Sequence, residues 1–302
     1  MIKRIFNGIY GIVLTPFKED GSVDYNTLEA EIEKVSKSSA ITGLAVCGST
    51  GEFTRMSFEE DTHLMKIVKE SMASDKQLIC GATAGDSFNA NRYVEYASKI
   101  GADGVLIAPP YYFKLCDEEI FEYYNDVFKN NAAHLPIVGY NIPQCTNGVS
   151  VSNFEKLLEF EDFKGFKNSW NDMQEITSEI SLRNEKRSDV SMLTGLDACL
   201  YGTLALGGDG IFSAITYLMP EIINVIFKGG DDAFKCQSAL IKLINVVNRF
   251  TFPYGYRVLS DALDIPLGVC REKVPPRLCD EAKAAKKEMR KIYDELVQKY
   301  VK

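Results

Sequence analysis

Short apolar segments alternate with longer segments of helical periodicity, and the pair recurs about every 20 to 30 residues. The short segments predict eight strands, near Gly11–Leu14, Gly43–Val46, Leu78–Gly81, Gly104–Ile107, Ile137–Tyr140, Gly165–Lys167, Ser191–Thr194 and Gly210–Ser213. The longer segments predict helices that include Asp24–Ser38, Ser57–Met72, Ser87–Ile100, Glu118–Asn130, Ser152–Glu159 and Asn171–Leu182. Because strands alternate with helices, we expect the strands to be parallel.

Start signals support two of these helices. Ser57-Phe58-Glu59-Glu60 fits the S-x-x-E capping box, and Asp117 precedes another apolar periodic segment. Beyond about residue 230 the strand pattern stops. The remaining chain predicts three further helices, over Ala233–Arg249, Gly255–Leu263 and Asp280–Tyr300.

Eight strand–helix units in roughly 230 residues predict an α/β fold, a (β/α)8 TIM barrel. An open doubly wound sheet fits less well, because such a sheet usually carries a glycine-rich nucleotide loop after its first strand. Leu14-Thr15-Pro16-Phe17 stands there instead, and the chain contains neither GxGxxG nor a P-loop. We therefore expect a catalytic barrel over residues 1–230 and a small C-terminal helical domain over residues 231–302.

Composition and charge exclude several classes of partner. The 302-residue chain is 46% hydrophobic and 25% charged, which is typical of a globular protein, and its net charge is −8. An acidic chain without a basic cluster predicts no nucleic-acid or membrane partner. No apolar run approaches the roughly 20 residues that span a bilayer, and the N-terminus does not resemble a secretory signal.

The cysteines and histidines disfavour metal chemistry. The eight cysteines form no CxxC pair and have no short spacing to His63 or His134, the two histidines of the chain. This pattern indicates free thiols in a reducing cytoplasm, and a Ser-His-Asp mechanism is also disfavoured. We expect neither a metal nor an organic cofactor.

Lys167 is the residue with the most distinctive setting. It ends the sixth predicted strand, in Gly165-Phe166-Lys167. A lysine dehydrated by a barrel core becomes a neutral amine, which attacks ketones to form a Schiff base. Side chains alternate along a strand, so Gly165 is expected on the same side as Lys167, where it leaves room for the lysine stem. Taken alone, a lysine before a polar turn is more typical of a solvated surface than of a catalytic site.

Other strand ends add polar groups at the position where TIM barrels carry their chemistry. Gly48-Ser49-Thr50-Gly51-Glu52 follows the second strand and offers backbone N–H groups and two hydroxyls to a small anion; a plain glycine-rich turn is the alternative interpretation. Tyr111-Tyr112 follows the fourth strand, where packing is the alternative to chemistry. Tyr140 ends the fifth strand. An amine, a phenol and an anion cradle together are what a Schiff-base aldolase requires.

With these motifs, the chain resembles the dihydrodipicolinate synthase / N-acetylneuraminate lyase superfamily of pyruvate-dependent class I aldolases. The resemblance extends from Gly8-Ile9-Tyr10-Gly11 to beyond Gly207-Gly208-Asp209-Gly210 and covers nearly the whole barrel. It implies a barrel with a small helical domain, assembled as a homotetramer of tight dimers. It also implies small-molecule substrates, pyruvate and an aldehyde.

The resemblance implies a role for each site residue. Lys167 forms the iminium, Tyr140 is the general acid/base, and Thr50 and Tyr112 complete a proton relay, with Tyr112 donated across the tight dimer. Thr15 contributes a structural hydroxyl near this relay. The substrate-binding residues implied are Gly48, Ser49, Thr50, Cys145, Asp197 and Phe212.

Three features indicate which members of the superfamily the chain resembles most. Cys145 stands where dihydrodipicolinate synthases carry an arginine for the aldehyde's carboxylate, and cysteine cannot make that bidentate contact. The G-S-T-G-E motif is similar to that of many sialic acid lyases. Those lyases carry Asp-Glu where this chain has Asp197-Ala198, so one ligand for sugar hydroxyls is missing. Trp170 either walls the acceptor pocket or packs away from it.

The expected function is therefore an N-acetylneuraminate lyase-like cleavage of a 2-oxo-3-deoxy acid. The alternatives within the enzyme class are dihydrodipicolinate synthase-type condensation, 2-dehydro-3-deoxygluconate or 4-hydroxy-2-oxoglutarate aldolase activity, and a dehydratase or deaminase that uses the same iminium. A non-catalytic 2-oxo-acid-binding regulator is the alternative from another class.

Overall fold

The computed structural model describes residues 4–301. Its eight strands are β1 (Gly8–Ile12), β2 (Gly43–Val46), β3 (Gln77–Gly81), β4 (Gly104–Ile107), β5 (Ile137–Asn141), β6 (Phe163–Asn168), β7 (Ser191–Thr194) and β8 (Gly210–Ser213). They form a closed parallel barrel in chain order, which confirms the predicted TIM barrel. The strands are almost wholly buried, as expected for parallel strands covered by helices.

Twelve α-helices accompany the strands in the described part of the chain. They are α1 (Tyr25–Val35), α2 (Phe58–Ser71), α3 (Ser87–Lys99), α4 (Asp117–Asn130), α5 (Val151–Leu157), α6 (Met173–Lys186), α7 (Leu200–Ala205), α8 (Ala214–Leu218), α9 (Pro220–Lys228), α10 (Ala233–Val247), α11 (Tyr254–Ala262) and α12 (Pro276–Tyr300). None of the helices within residues 4–301 is long and apolar enough to cross a membrane. The helices α7, α8 and α9 were not predicted.

Many element ends differ from the prediction by a few residues, and two of the differences have a clear physical reason. The first strand runs over Gly8–Ile12 rather than Gly11–Leu14, because the whole apolar run is buried and hydrophobicity does not mark where strand geometry stops. Helix α4 is capped by Cys116 rather than Asp117, since the Glu119 carboxylate accepts a hydrogen bond from the Cys116 N–H at 2.8 Å. The capping box of α2 forms as predicted.

The described chain packs as two compact units. One comprises residues 4–8 and 77–212 and contains β3 to β7. The other comprises residues 9–76 and 213–301 and contains β1, β2 and the C-terminal helices. The predicted boundary near residue 230 between barrel and helical domain stays a prediction.

The pairing of β5 with β6 positions the candidate chemistry in the first unit. Tyr140 is paired in register with Lys167, and Asn141 with Asn168. Residues in register on neighbouring strands point to the same face, and successive residues point to opposite faces. Tyr140 and Lys167 therefore share one face of the sheet, and the two asparagines share the other.

Candidate active site

Lys167 lies at the end of β6 in a dehydrated environment. The residue is 4% exposed, and its Nζ lies 3.9 Å from the centroid of the Tyr140 ring. Burial lowers the pKa of Lys167 to about 7, against the opposing effect of the Asp197 charge. A large fraction of the amine is therefore neutral near pH 7, which is the form that attacks a carbonyl carbon.

Gly195 makes room for the lysine, and Gly165 does not. A Cβ on Gly195 would lie 2.5 Å from Cε of Lys167 and 1.9 Å from Oγ of Ser169. A Cβ on Gly165 would instead meet Phe6 and Val138, each at 3.2 Å. The strand register agrees with Gly165 lying on the same side as Lys167, but the expectation that it leaves room for the lysine stem was wrong.

Ser169 is a polar neighbour of Tyr140 that sequence reasoning missed. Its hydroxyl donates to the Tyr140 hydroxyl at 3.4 Å, and its backbone N–H donates to the Asn141 carbonyl at 2.8 Å. The residue is 3% exposed, so these contacts are shielded from solvent. The available signal was its position two residues after Lys167, which is the spacing of side chains on one face of an extended chain.

The structure places the remaining predicted residues of this unit in different settings. Asp197 is buried in a short 3₁₀ turn, Asp197–Cys199, that follows β7, and Phe212 is fully buried on β8. Cys145 is exposed after β5. Tyr112 is 84% exposed and packs edge-on against Phe113, with ring centroids 5.0 Å apart. The substrate contacts assigned to these residues stay predictions.

The G-S-T-G-E loop belongs to the second unit and is tightly built. Ser49–Gly51 forms a single 3₁₀ turn directly after β2, with the Thr50 side chain buried. The Thr15 hydroxyl donates to the Gly51 carbonyl at 2.7 Å, in keeping with the structural role expected for it. A Cβ on Gly51 would lie 2.8 Å from the Val13 carbonyl oxygen, so the loop requires glycine there.

Glu52 anchors this loop from its C-terminal side. It has a φ of 66°, a left-handed conformation that is uncommon for a residue with a side chain. Its buried carboxylate accepts hydrogen bonds from Arg55 at 2.7 Å, Arg257 at 3.1 Å and the backbone N–H of Arg271 at 3.3 Å. Sequence reasoning gave Glu52 no role, since nothing in the local sequence points to an arginine 205 positions away.

A closed parallel barrel with a dehydrated lysine near a strand end places a nucleophilic amine where such barrels carry their chemistry. The chain matches the model of the dihydrodipicolinate synthetase family over residues 5–294, and it belongs to that family. It is a carbon–carbon lyase.

Individual relatives agree with this assignment. An uncharacterized DapA-like lyase of Thermococcus onnurineus is 33% identical over 245 residues, covering 79% of this chain and 82% of the relative. Among solved structures, 2-keto 3-deoxygluconate aldolase from Picrophilus torridus is similar with a TM-score of 0.79 at 26% identity, over 88% of this chain and 96% of that one. Ruminococcus gnavus sialic acid aldolase has a TM-score of 0.88 over 98% of this chain and 99% of its own, and at 21% identity this likeness shows the fold alone.

Proposed function

We propose that the protein is a Schiff-base aldolase that reversibly cleaves a 2-oxo-3-deoxy sugar acid to pyruvate and an aldehyde, in the manner of N-acetylneuraminate lyase. The observation that carries this proposal is Lys167, which is buried, has a pKa lowered to about 7, and lies 3.9 Å from the Tyr140 ring. A lysine that serves only to solubilise a surface is neither buried nor neutralised.

The chemistry follows from these two side chains. The neutral Lys167 amine attacks C2 of the 2-oxo acid, and the Tyr140 hydroxyl gives up the proton with which the C2 oxygen leaves as water, so that a protonated iminium and a Tyr140 phenolate result. Tyr140 takes the proton of the C4 hydroxyl, the C3–C4 bond breaks, and its electron pair moves into the iminium to give an enamine and an aldehyde. Tyr140 then returns a proton to C3, and hydrolysis releases pyruvate and the free amine. No external oxidant or reductant is needed.

Proton movement at Tyr140 needs neighbouring hydroxyls, because the reference pKa of tyrosine is about 10. The Ser169 hydroxyl, 3.4 Å from that of Tyr140, is one such group. Thr50 and Tyr112 are the other relay residues proposed. Gly48, Ser49 and Thr50 are assigned to the substrate carboxylate, and the compact 3₁₀ turn with its adjacent backbone N–H groups supports that assignment.

We assign the relay hydroxyl of Tyr112 to a neighbouring subunit of a homotetramer. The exposure of two adjoining rings in a single chain, Tyr112 at 84% and Phe113 at 72%, supports this assignment, because neighbouring exposed apolar groups are typical of a protein–protein contact. Dilution to the monomer should then reduce activity, and activity that is independent of concentration down to the monomer would contradict it. We also propose a cytoplasmic location, in keeping with eight free cysteines.

The identity of the aldehyde depends on the acceptor side of the site. Cys145 disfavours dihydrodipicolinate synthase-type condensation, since it lacks the guanidinium that would hold the second carboxylate. The likeness to 2-keto 3-deoxygluconate aldolase at 26% identity favours sugar-acid substrates, with 2-dehydro-3-deoxygluconate as the second candidate beside sialic acid. Cys145, Asp197 and Phe212 are the substrate-binding residues that we propose on this side, and 4-hydroxy-2-oxoglutarate is the smaller alternative.

The deciding experiment is borohydride trapping with pyruvate, followed by intact mass and peptide mapping. A single pyruvyl adduct on Lys167 is expected, and a panel of 2-oxo-3-deoxy acids that includes sialic acid would then identify the substrate. A folded protein that forms no adduct would overturn the Schiff-base mechanism and favour a non-catalytic 2-oxo-acid binder.

A further inference from the structure

Two glutamates of α6 hold the residues that directly follow the proposed catalytic pair. Asn141 donates from Nδ2 to Oε1 of Glu175 at 3.0 Å, and Asn168 donates from Nδ2 to Oε2 of Glu179 at 2.9 Å. Glu175 and Glu179 are four positions apart on one helix, so they occupy the same stripe of its surface. One helix is therefore hydrogen-bonded to the ends of two neighbouring strands.

Each asparagine also binds the loop that follows its own strand. Oδ1 of Asn141 accepts a hydrogen bond from the Val149 N–H at 3.1 Å, and Oδ1 of Asn168 accepts one from the Trp170 N–H at 2.8 Å. Both asparagines are buried, at 1% and 4% exposure. Hydrogen bonds shielded from water in this way hold their geometry better than solvated ones.

The backbones of the same asparagines tie adjacent segments together. The Asn141 carbonyl accepts from the Ser169 N–H, and the Asn168 carbonyl accepts from the Gly195 N–H, both at 2.8 Å. Ser169 is the residue whose hydroxyl reaches Tyr140, and Gly195 is the residue that leaves space for Lys167. The two asparagines are thus hydrogen-bonded to the residue that reaches the phenol and to the residue that leaves space for the amine.

We propose that Glu175 and Glu179 are positioning residues, which act through Asn141 and Asn168 to hold Tyr140 and Lys167 at the separation that proton transfer requires. Side chains alternate along a strand, so each asparagine points away from the catalytic residue that precedes it. Hydrogen bonds that hold the asparagine therefore also fix the position and orientation of the backbone that carries Tyr140 or Lys167. The proposal rests on the Schiff-base function proposed above.

Burial determines the best conservative substitution. Glu179 is fully buried, and burial raises its pKa to about 8, so its carboxyl group is mostly protonated at pH 7. Glutamine has the same shape as a protonated glutamate and keeps a carbonyl acceptor for Asn168. Aspartate keeps the acid but is one methylene shorter, which withdraws the acceptor from the asparagine.

The test is the exchange of the methyl protons of pyruvate in D₂O, followed by proton NMR. This exchange needs an iminium on Lys167 and a base that removes a C3 proton, but no knowledge of the aldehyde. We expect Glu179→Ala, Glu179→Asp and Glu175→Ala to lower the maximal exchange rate by about 10- to 100-fold, with half-saturating pyruvate within about threefold of wild type. Glu179→Gln should retain a rate within about threefold of wild type, and Glu185→Ala, on the exposed side of the same helix, should match wild type.

Several outcomes would overturn the proposal. Folded Glu179→Ala and Glu179→Asp proteins that exchange at the wild-type rate would show that the glutamates are structural only. The proposal requires a side chain long enough to reach Asn168. If Glu179→Gln lost as much of the exchange rate as Glu179→Asp, side-chain length would not be what matters, and the proposal would be contradicted. Should the alanine variant fail to fold, the aspartate and glutamine variants decide by the same comparison. If wild-type protein neither exchanges nor traps pyruvate, the proposed function itself fails, which is a distinct result.

Discussion

Lys167 and Glu52 are both buried charged residues, and their surroundings differ in kind. Glu52 lies in the second unit, where two arginine side chains and a backbone N–H donate to its carboxylate. Lys167 lies in the first unit against the face of a tyrosine ring, and burial lowers its pKa to about 7. The carboxylate is surrounded by hydrogen-bond donors, whereas the amine is placed where burial disfavours its charge.

The difference distinguishes a charged group that stabilises the structure, Glu52, from one that is suited to proton exchange, Lys167. A buried carboxylate that accepts hydrogen bonds from several donors holds in place the loop that carries it. A buried amine whose pKa is close to the working pH exists in both forms and exchanges protons readily. The following variants are arranged to break one environment while leaving the other intact, beginning with the largest expected effect.

Lys167→Ala should abolish turnover and pyruvate trapping, by about four orders of magnitude or more, because no other side chain replaces the nucleophile. The fold should remain, since a smaller apolar side chain replaces a buried amine. Lys164→Ala is the matched control, as Lys164 lies on the same strand and pairs with Asp189 near the surface. Steady-state assay and intact mass measure both, and a normally active Lys167→Ala protein would refute the assignment.

Glu52→Gln should lower the free energy of unfolding by about 3–5 kcal/mol, because it leaves the buried Arg257 guanidinium without its counter-charge. Chemical denaturation measures this loss. Glu288→Gln breaks the exposed ion pair of Glu288 with Arg249 and should cost at most about 1 kcal/mol. Equal losses in the two variants would mean that the Glu52 environment is no more important than a surface ion pair.

Gly195→Ala should reduce kcat by about 100-fold with a modest loss of stability, because the added Cβ would lie 2.5 Å from Cε of Lys167 and push the amine aside. Gly202→Ala is the control: its Cβ would have Met173 as its nearest neighbour, at an ordinary 3.7 Å. Assays of both variants with the substrate found in the panel give kcat. Wild-type kcat in Gly195→Ala would show that the lysine stem has space to move.

The pH dependence of adduct formation should have its midpoint near 7, the lowered pKa of Lys167. Below the midpoint the neutral amine, and with it the rate, falls about tenfold for each pH unit, and above it the rate levels off. Asp197→Asn should move the midpoint lower, because the Asp197 charge raises this pKa. Trapping with pyruvate and cyanoborohydride across pH measures the midpoint, and a value near 10.5 would indicate a solvated amine.

The same lowered pKa has a consequence for stability. Between pH 7 and 10.5 the unfolded chain binds more protons at Lys167 than the folded chain does. The contribution of this residue to the free energy of unfolding therefore rises with pH across that window. Urea denaturation of Lys167→Met beside wild type, at pH 7 and pH 9.5, should show a smaller gain with pH in the variant.

Ser169→Ala should have the smallest effect, a few-fold decrease in kcat, since its 3.4 Å contact with the Tyr140 hydroxyl is long for a hydrogen bond. The pH–rate profile on the alkaline side should move, because one polar neighbour of the phenol is lost. Ser178→Ala is the control, since Ser178 is a half-buried serine of α6 whose hydroxyl donates to the Gln174 carbonyl of its own helix. An unchanged rate and profile would remove Ser169 from the relay.

Much of the barrel was predictable because its strands are short, apolar and bounded by polar turns. The four predicted strands Gly43–Val46, Gly104–Ile107, Ser191–Thr194 and Gly210–Ser213 agree with the structure at both ends. Helix α8 was missed because all five residues are buried, which leaves no polar face to show a period. Helix α9 had a usable signal, since it begins at Pro220 and ends before two glycines.

Only those parts of the candidate site that are visible in the local sequence of a single strand could be predicted. Tyr140 and Lys167 are each the last residue but one of a strand, so their positions near the strand ends could be inferred along the chain. Gly195 and Arg257 act on residues far away in sequence, and nothing local marks them. The Glu175/Glu179 spacing was visible as an i, i+4 pair, but its partners become apparent only when β5 and β6 lie side by side.

The hydrogen bonds from α6 to two strands limit how this enzyme can be redesigned. Residues 169–174 connect β6 to Glu175, the first of the two glutamates of α6, and they include Trp170. A loop taken from a relative with a different aldehyde preference can replace this segment only if the graft ends before Glu175. Exchanging the whole helix would remove both glutamates. Asn141 and Asn168 would then lose their hydrogen-bond partners on α6, and the ends of β5 and β6 would no longer be held.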